Sequence, residues 1–184
     1  MKKLLVAIAL CSLFCIPVLA QDTPKVEVYG GYQLLHHGGG TYGEDVYPSY
    51  NFNGFLAAVE GNLKPFFGVV GEFGYNRKSW DEYNETESFT SYLFGPRFGY
   101  RTEKFRVFGH YLLGGSHYKD EYDGENYTDN NFTQAIGGGV DIVLNGMISV
   151  RPAQIDMVSI HWTDGEYSEW ENHFRYSGGV VITF

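Results

Sequence analysis

The sequence predicts an all-β protein, an eight-stranded antiparallel up-and-down barrel that crosses a membrane. Its hydrophobic pattern repeats every two residues rather than every 3.6. Short and long breaks alternate strictly between the patterned runs. Beyond residue 20 no uncharged apolar run is long enough to form a spanning helix.

The amino end is read as an export signal. Lys2 and Lys3 supply a positive region, and Leu4 to Leu19 form a short apolar stretch interrupted by Pro17. Val18 and Ala20 stand at the spacing that signal peptidase accepts, so cleavage is expected before Gln21. Residues 1–20 are therefore assigned as a cleaved signal peptide and 21–184 as the barrel domain. Cys11 and Cys15 both lie in the removed part, and neither follows the small residues of a lipoprotein box. The mature domain is left with no thiol, no disulfide and no cysteine-based metal site.

Removing residues 1–20 takes away two lysines and no acid, so the formal charge of −9 becomes −11. An acidic domain excludes nucleic acid as a partner, because phosphate binding needs a basic face. Aromatic residues make up 17% of the chain and glycines number 24, against only 6 prolines. That composition suits closely spaced strands with rings packed around them.

Eight strands are predicted near 25–35, 52–63, 67–76, 89–101, 105–117, 132–143, 147–160 and 172–184. In the first, Val26, Val28, Gly30, Tyr32 and Leu34 alternate with Glu27, Tyr29, Gly31 and Gln33. In the third, Phe67, Val69, Gly71, Phe73 and Tyr75 alternate with Gly68, Val70, Glu72, Gly74 and Asn76. In the last, Phe174, Tyr176, Gly178, Val180, Ile182 and Phe184 alternate with His173, Arg175, Ser177, Gly179 and Thr183. One face is apolar and aromatic, and the other is small, polar or charged. A wall with lipid outside and a narrow polar lumen inside requires that arrangement.

Three breaks are short: Lys64-Pro65, Thr102-Glu103-Lys104 and Leu144-Asn145-Gly146, where Asn-Gly is a strong hairpin signal. Four are long, at about 36–51, 77–88, 118–131 and 161–171. The predicted topology thus has short periplasmic turns, four long extracellular loops and both termini on the short-turn side. A soluble lipocalin-like barrel is the alternative architecture, since it also uses alternating strands. The loop asymmetry, the single charges on the face opposite the apolar one, and the apolar Phe184 at the last position favour the membrane barrel.

Within the strands, Glu60, Glu72, Arg97, Arg106 and Asp141 fall on the inward face, joined by Arg151. A charge facing lipid at the midplane costs roughly 2–4 kcal/mol, so inward placement is cheaper. Buried charges require partners. The expectation is a lumen network in which Arg97 and Arg151 bridge Glu60, Glu72 and Asp141, acting as a structural plug rather than a gated ion path. Strict alternation after Arg151 would turn Gln154 and Asp156 toward lipid. A bulge at Pro152, which lacks an N–H, would return both to the lumen.

The Ser177-Gly-Gly179-Val-Val-Ile182-Thr-Phe184 segment resembles the terminal assembly signal of outer-membrane barrels. The strand Gly137-Gly-Gly139-Val-Asp141, followed by Arg151-Pro-Ala-Gln154-Ile-Asp156, is similar to a strand pair of "porin family" members. Over about residues 25–184 the chain resembles the small outer-membrane β-barrel family that includes OmpA-, OmpX- and opacity-like proteins. The resemblance implies an integral outer-membrane protein with a structural or surface-interaction role, in envelope integrity or adhesion. It implies lipid and lipopolysaccharide as surroundings, the barrel-assembly machinery reading Ser177, Gly179, Ile182 and Phe184, and a monomer. No peptidoglycan-binding domain follows in this chain, so cell-wall tethering is not implied.

The four long breaks hold 15 of the 22 acidic residues, interleaved with Tyr42, Tyr47, Tyr50, Trp80, Tyr83, Tyr122, Tyr127, Tyr167 and Trp170. This is read as a solvated crown with boundary aromatics. Tyrosine- and tryptophan-rich loops also suit adhesion to an unidentified surface ligand, and acidic clusters suit divalent cations. Asp120 to Glu125 lacks the ligand spacing of a calcium loop. The sequons at Asn84, Asn126 and Asn131 are taken as chance.

Small barrels of this type include lipid A-modifying enzymes, which need a nucleophile beside a base. Ser159 and His161, with Asp164 or Glu166, and Ser116 beside His117 are the candidates, among histidines 36, 37, 110, 117, 161 and 173. No deacylase motif surrounds either pair, so no catalytic residue, cofactor or metal ligand is assigned.

Overall fold

The computed structural model describes residues 25–38, 40–42, 45–47, 49–80, 85–122, 124–164 and 167–184. Residues 1–20, together with Glu44, Asp81, Glu82, Tyr83, Asn84, Asp123 and Glu166, lie outside the described residues.

The strands are β1 (Val26–His37), β2 (Gly40–Tyr42), β3 (Asp45–Tyr47), β4 (Tyr50–Lys64), β5 (Phe67–Trp80), β6 (Glu85–Arg101), β7 (Phe105–Tyr122), β8 (Glu125–Val143), β9 (Ile148–Asp164) and β10 (Tyr167–Thr183). Eight of them close an antiparallel barrel in the order β1-β10-β9-β8-β7-β6-β5-β4, and β2 with β3 forms a separate small hairpin. Closure comes from β1, which pairs with β4 on one side and β10 on the other. No strand edge is left in the wall, as lipid demands of every backbone N–H and C=O.

The alternation places the two faces as the sequence indicates. Tyr32, Phe55, Phe73, Phe94, Phe98, Ile136, Ile155 and Phe174 are exposed on the outer wall. Glu27, Gln33, Glu60, Glu72 and Arg175 are buried inside. A soluble monomer rarely exposes a continuous apolar patch beyond a few hundred Å², and this belt encircles the barrel. A lipocalin would also keep an apolar ligand cavity where this barrel packs charges.

The ladders run further than the sequence reading allowed. β6 begins at Glu85 and β7 ends at Tyr122, with pairing continuous from Glu85 opposite Tyr122 to Phe94 opposite Leu113. β8 starts at Glu125, directly after the β7–β8 tip at Gly124, whose φ of 87° demands glycine. Three of the four expected loops are therefore mostly two-stranded ribbon. Above the apolar belt both ribbon faces meet water, so polar residues lose their alternation signal although the backbone bonds persist.

The short turns are held by side chains. Thr102 Oγ1 accepts from the N–H of Lys104 at 3.3 Å and of Phe105 at 3.1 Å. At Asn145-Gly146 the connection spans four residues, and Asn145 Oδ1 accepts from Met147 N at 2.9 Å and Ile148 N at 2.8 Å. This is an Asn-capped turn rather than the two-residue hairpin suggested by Asn-Gly. β1 starts and β10 finishes at this end, where Phe184 N donates to Val26 O at 2.9 Å.

β9 carries the bulge. Arg151 stands opposite Gly179 and Gln154 opposite Ser177, so three steps on β9 match two on β10. The same extra residue appears against β8, where Val150 faces Ile142 and Ala153 faces Val140. Pro152 points out, and Tyr176 Oη donates to its carbonyl at 2.7 Å. The bulged carbonyl thereby keeps a partner in a wall where an orphan is costly.

Candidate functional site

Reading inward positions from the short-turn end upward, the lumen is layered. β1 contributes Glu27, Tyr29, Gly31, Gln33, Leu35 and His37, and β6 contributes Arg101, Gly99, Arg97, Gly95, Leu93, Ser91, Phe89 and Glu87. Charges fill the lower half, apolar side chains the next layer, and titratable groups the mouth.

In the lower half five carboxylates, Glu27, Glu60, Glu72, Asp141 and Asp156, meet five guanidiniums, Arg97, Arg101, Arg106, Arg151 and Arg175. Arg97 bridges Glu60 at 3.0 Å and Glu72 at 3.1 Å. Arg106 pairs with Glu27 and also donates to Glu60 Oε2 at 3.0 Å. Arg151 grips both oxygens of Asp141, at 2.6 and 3.1 Å, and reaches Gln154 Oε1 at 2.7 Å. Gln154 Nε2 passes the connection on to Glu72 at 3.2 Å and Asp156 at 2.9 Å. Arg175 closes the circuit on Glu72 at 2.7 Å and Asp156 at 2.8 Å. His110 lies between Arg97 at 3.0 Å and Asp156 at 2.8 Å.

The structure thus brings Glu60, Glu72, Arg97, Arg106, Asp141, Arg151 and Asp156 into one cluster. It corrects one detail: Arg151 does not itself contact Glu60 or Glu72 but reaches Glu72 through Gln154. Sequence reasoning missed Glu27, Arg101, His110 and Arg175 as members. The inward positions of Glu27 and Arg175 were legible from alternation, but their partners come from other strands. Aromatic faces complete the packing, with Phe108 lying under Arg97 and Arg151, each 4.3 Å from its ring centre. Gly139 makes room for that ring, since a Cβ there would stand 2.8 Å from it.

Above the charges lies an apolar layer of Leu35, Phe52, Leu56, Phe89, Leu93, Leu112, Val158 and Ile160. The plug is therefore half ionic and half hydrophobic, where the sequence reading had ions alone.

At the hairpin end, beyond the apolar belt, a cavity of about 220 Å³ is walled by His37, Tyr50, Glu87, Tyr118, Trp162, Glu171 and His173. Tyr50 Oη donates to Glu87 Oε2 at 3.4 Å. Burial pushes the Glu87 carboxyl up to about 7, helped by the charges of Asp120 and Glu85 and opposed by its tyrosine hydrogen bonds. Burial and the same carboxylate push the Tyr118 and Tyr50 hydroxyls up as well.

The serine–histidine candidates are engaged elsewhere. Ser159 Oγ donates to Asn172 Oδ1 at 2.6 Å. His161 hydrogen-bonds Ser168 Oγ at 2.7 Å and stacks on Trp170 with centroids 4.7 Å apart. Ser116 is buried against Thr133 at 2.7 Å, and His117 meets Asn130 at 3.0 Å. In the assembly-type segment Ser177 is buried in the lumen, whereas Ile182 and Phe184 are exposed on the wall. A Cβ on Gly179 would collide with the Gly30 backbone across the closing seam.

Comparison with known proteins gives a consistent architecture. The outer membrane protein beta-barrel domain family matches residues 6–180. Among solved structures the chain is similar to Ail, the attachment invasion locus protein of Yersinia pestis, at 17% identity and TM-score 0.58, covering 88% of this chain and 99% of that one. It is similar to Neisserial surface protein A at 10% identity and TM-score 0.66, covering 86% and 97%. The amino-terminal barrel of Pseudomonas aeruginosa OprF matches at 10% identity and TM-score 0.59, covering 89% and 100%. Ail has also been solved with the heparin analogue sucrose octasulfate. No curated protein matches by sequence. With a closed eight-stranded wall, an apolar belt and a family match across nearly its whole length, the chain belongs to the outer membrane protein β-barrel domain family and is an integral outer-membrane protein.

Proposed function

We propose that this protein is a non-enzymatic, monomeric surface protein that supports the envelope and presents its ribbons outward for contact. The observation that carries this reading is the division of the barrel. Ion pairs pack the lower lumen and an apolar layer lies above them, which supports a plug rather than a pore, while paired ribbons rise past the apolar belt with acids and aromatics at their ends.

The charge of the ribbons supports one ligand class over another. Their described acids include Glu85, Asp120, Glu121, Glu125, Asp129 and Glu169, against Arg77, Lys78 and Lys119. Such a field repels polyanions. A sulfated sugar, such as the heparin analogue seen with Ail, is therefore a poor fit, and a neutral or basic protein surface fits better. Lipid and lipopolysaccharide surround the belt. Residues 1–20 act as the export signal, and β10 with Ser177, Gly179, Ile182 and Phe184 is the strand offered to the barrel-assembly machinery.

The test compares membranes boiled and unboiled on a gel, with protease added to intact cells. A band that shifts on boiling and is clipped from outside is expected. Cells whose β7–β8 tip, residues 120–129, is replaced by a Gly-Ser turn should keep the shift but lose adhesion to a basic protein-coated surface. Undiminished adhesion would leave envelope support alone. Altered lipid A mass on overproduction would replace this reading with an enzymatic one.

A further inference from the structure

The first and last strands of the barrel meet at a seam whose final paired position sets His36 of β1 opposite Phe174 of β10. One step beyond it, at the wall of the mouth cavity, three nitrogen and oxygen donors gather from the two strands. His37 comes from β1, and Glu171 and His173 come from β10. We propose that His37, Glu171 and His173 form a binding site for a borderline divalent transition-metal ion, with Zn²⁺ the reference case, which clips the closing seam at its outer end.

The spacing fits the chemistry. In a tetrahedral zinc site with bonds of 2.0–2.1 Å, neighbouring donors stand about 3.3 Å apart. Here His37 Nδ1 is 3.2 Å from Glu171 Oε1, and His173 Nε2 is 3.5 Å from Glu171 Oε2. The donor atoms of all three residues lie within 4.8 Å of one another. Two imidazoles and one carboxylate are a donor set that zinc accepts with one position left for water, and hard cations such as calcium require more oxygens.

An independent observation points to a ligand. His173 is 4% exposed, yet neither ring nitrogen makes a hydrogen bond among the described residues, apart from the 3.5 Å approach of Nε2 to Glu171 Oε2 within the same cluster. A buried imidazole that makes no hydrogen bond is costly, and a metal would occupy one of its nitrogens. The surroundings also hold the donors in place. Trp162 Nε1 donates to Glu171 Oε2 at 2.9 Å, and Tyr50 stacks on His37 at 4.7 Å between centroids. Outer-shell contacts of this kind orient ligands in metal sites.

The experiment uses the full protein extracted from membranes in detergent, with Zn²⁺ and Co²⁺ as probes. Wild type is expected to bind one equivalent of Zn²⁺ by calorimetry and to show visible Co²⁺ absorption of tetrahedral intensity. Zn²⁺ should also raise the temperature at which the gel band converts to its boiled position, because a ligand that binds only the folded state stabilises it. His37→Ala/His173→Ala should lose at least tenfold in affinity together with both of the other signals. His117→Ala, on the outer ribbon surface, should retain all three. A double variant that still shows the heat shift of a folded barrel makes the comparison valid, and Glu171→Gln supplies a second, less disruptive one. Zn²⁺ bound equally by wild type and the variants, or Ca²⁺ competing at equal concentration, would overturn the site and assign binding to the acidic ribbons.

Discussion

Arg175 and Asp156 face each other across the β9–β10 pair, with the guanidinium Nε 2.8 Å from Oδ2 and both side chains fully buried. The pair exists because the Pro152 bulge restored Asp156 to the lumen. It also ties the bulged strand to the seam strand and, through Glu72, to β5 on the far wall.

Arg175→Ala should be severely destabilising. Removing one member of a buried ion pair costs about 3–5 kcal/mol because the remaining charges lose compensation. Arg97→Ala should behave alike, since it removes the guanidinium that joins Glu60 and Glu72 and leaves each buried carboxylate to a single arginine, Arg106 and Arg175 respectively. Arg101 is partly exposed and shares Glu27 with Arg106, so Arg101→Ala should cost about 1 kcal/mol or less. Urea titration in phospholipid vesicles distinguishes these values. Equal losses at Arg101 and Arg175 would show that the network does not hold the barrel together.

Deleting Ala153 should be worse than replacing Pro152. The deletion removes the extra β9 residue, so either Arg151 or the Gln154 and Asp156 pair must turn to lipid. An arginine there costs roughly 2–4 kcal/mol. Pro152→Ala keeps the residue count and should still fold. The fraction of heat-shifted band after refolding reports both outcomes. A fully folded deletion variant would show that register is set elsewhere.

Stability at the mouth should depend on pH through Glu87. Its folded value of about 7 lies above the ordinary 4.5, so folding favours the protonated acid. The associated stability is complete below pH 4.5 and is lost as pH rises through 7. Glu87→Gln should therefore gain on the order of 1 kcal/mol at pH 8, discounted for the water that reaches the group, and nothing at pH 4. Parallel urea titrations at the two pH values measure the difference.

The lumen should not conduct. Ion pairs fill its lower half, and Leu35, Leu56, Leu93 and Leu112 seal the layer above. Planar-bilayer recordings of the folded protein should show no steady open-pore current. A stable conductance in wild type would mean that the charged layer opens.

Hydrogen exchange should find the ribbons protected well above the belt. Glu87 pairs with Asp120 on β7 and with Lys78 on β5, so its neighbourhood is laddered on both sides. Backbone amides around Ser88 and Lys119 should exchange more slowly than those of an open loop. Rapid exchange there would return these segments to loops.

Much of this was legible in advance. Lipid on one side and charge on the other impose a period of two on every crossing strand, so Glu60, Glu72, Arg97, Arg106, Asp141 and Arg151 could be placed inward from the sequence. Pro152 beside misplaced Gln154 and Asp156 marked the bulge because alternation counts residues. The ribbon extensions were not legible, since a strand with water on both faces carries no periodic signal.

By itself, the sequence determined the number of wall strands, which face each wall strand turns outward and which side chains enter the lumen, because those depend on local alternation and on turns. Tertiary structure alone decided which charges meet, that Arg175 joins Asp156 and Glu72, and that His37 approaches His173. Those contacts join strands far apart in the chain, and their geometry follows from barrel closure, tilt and stagger, which no local pattern encodes.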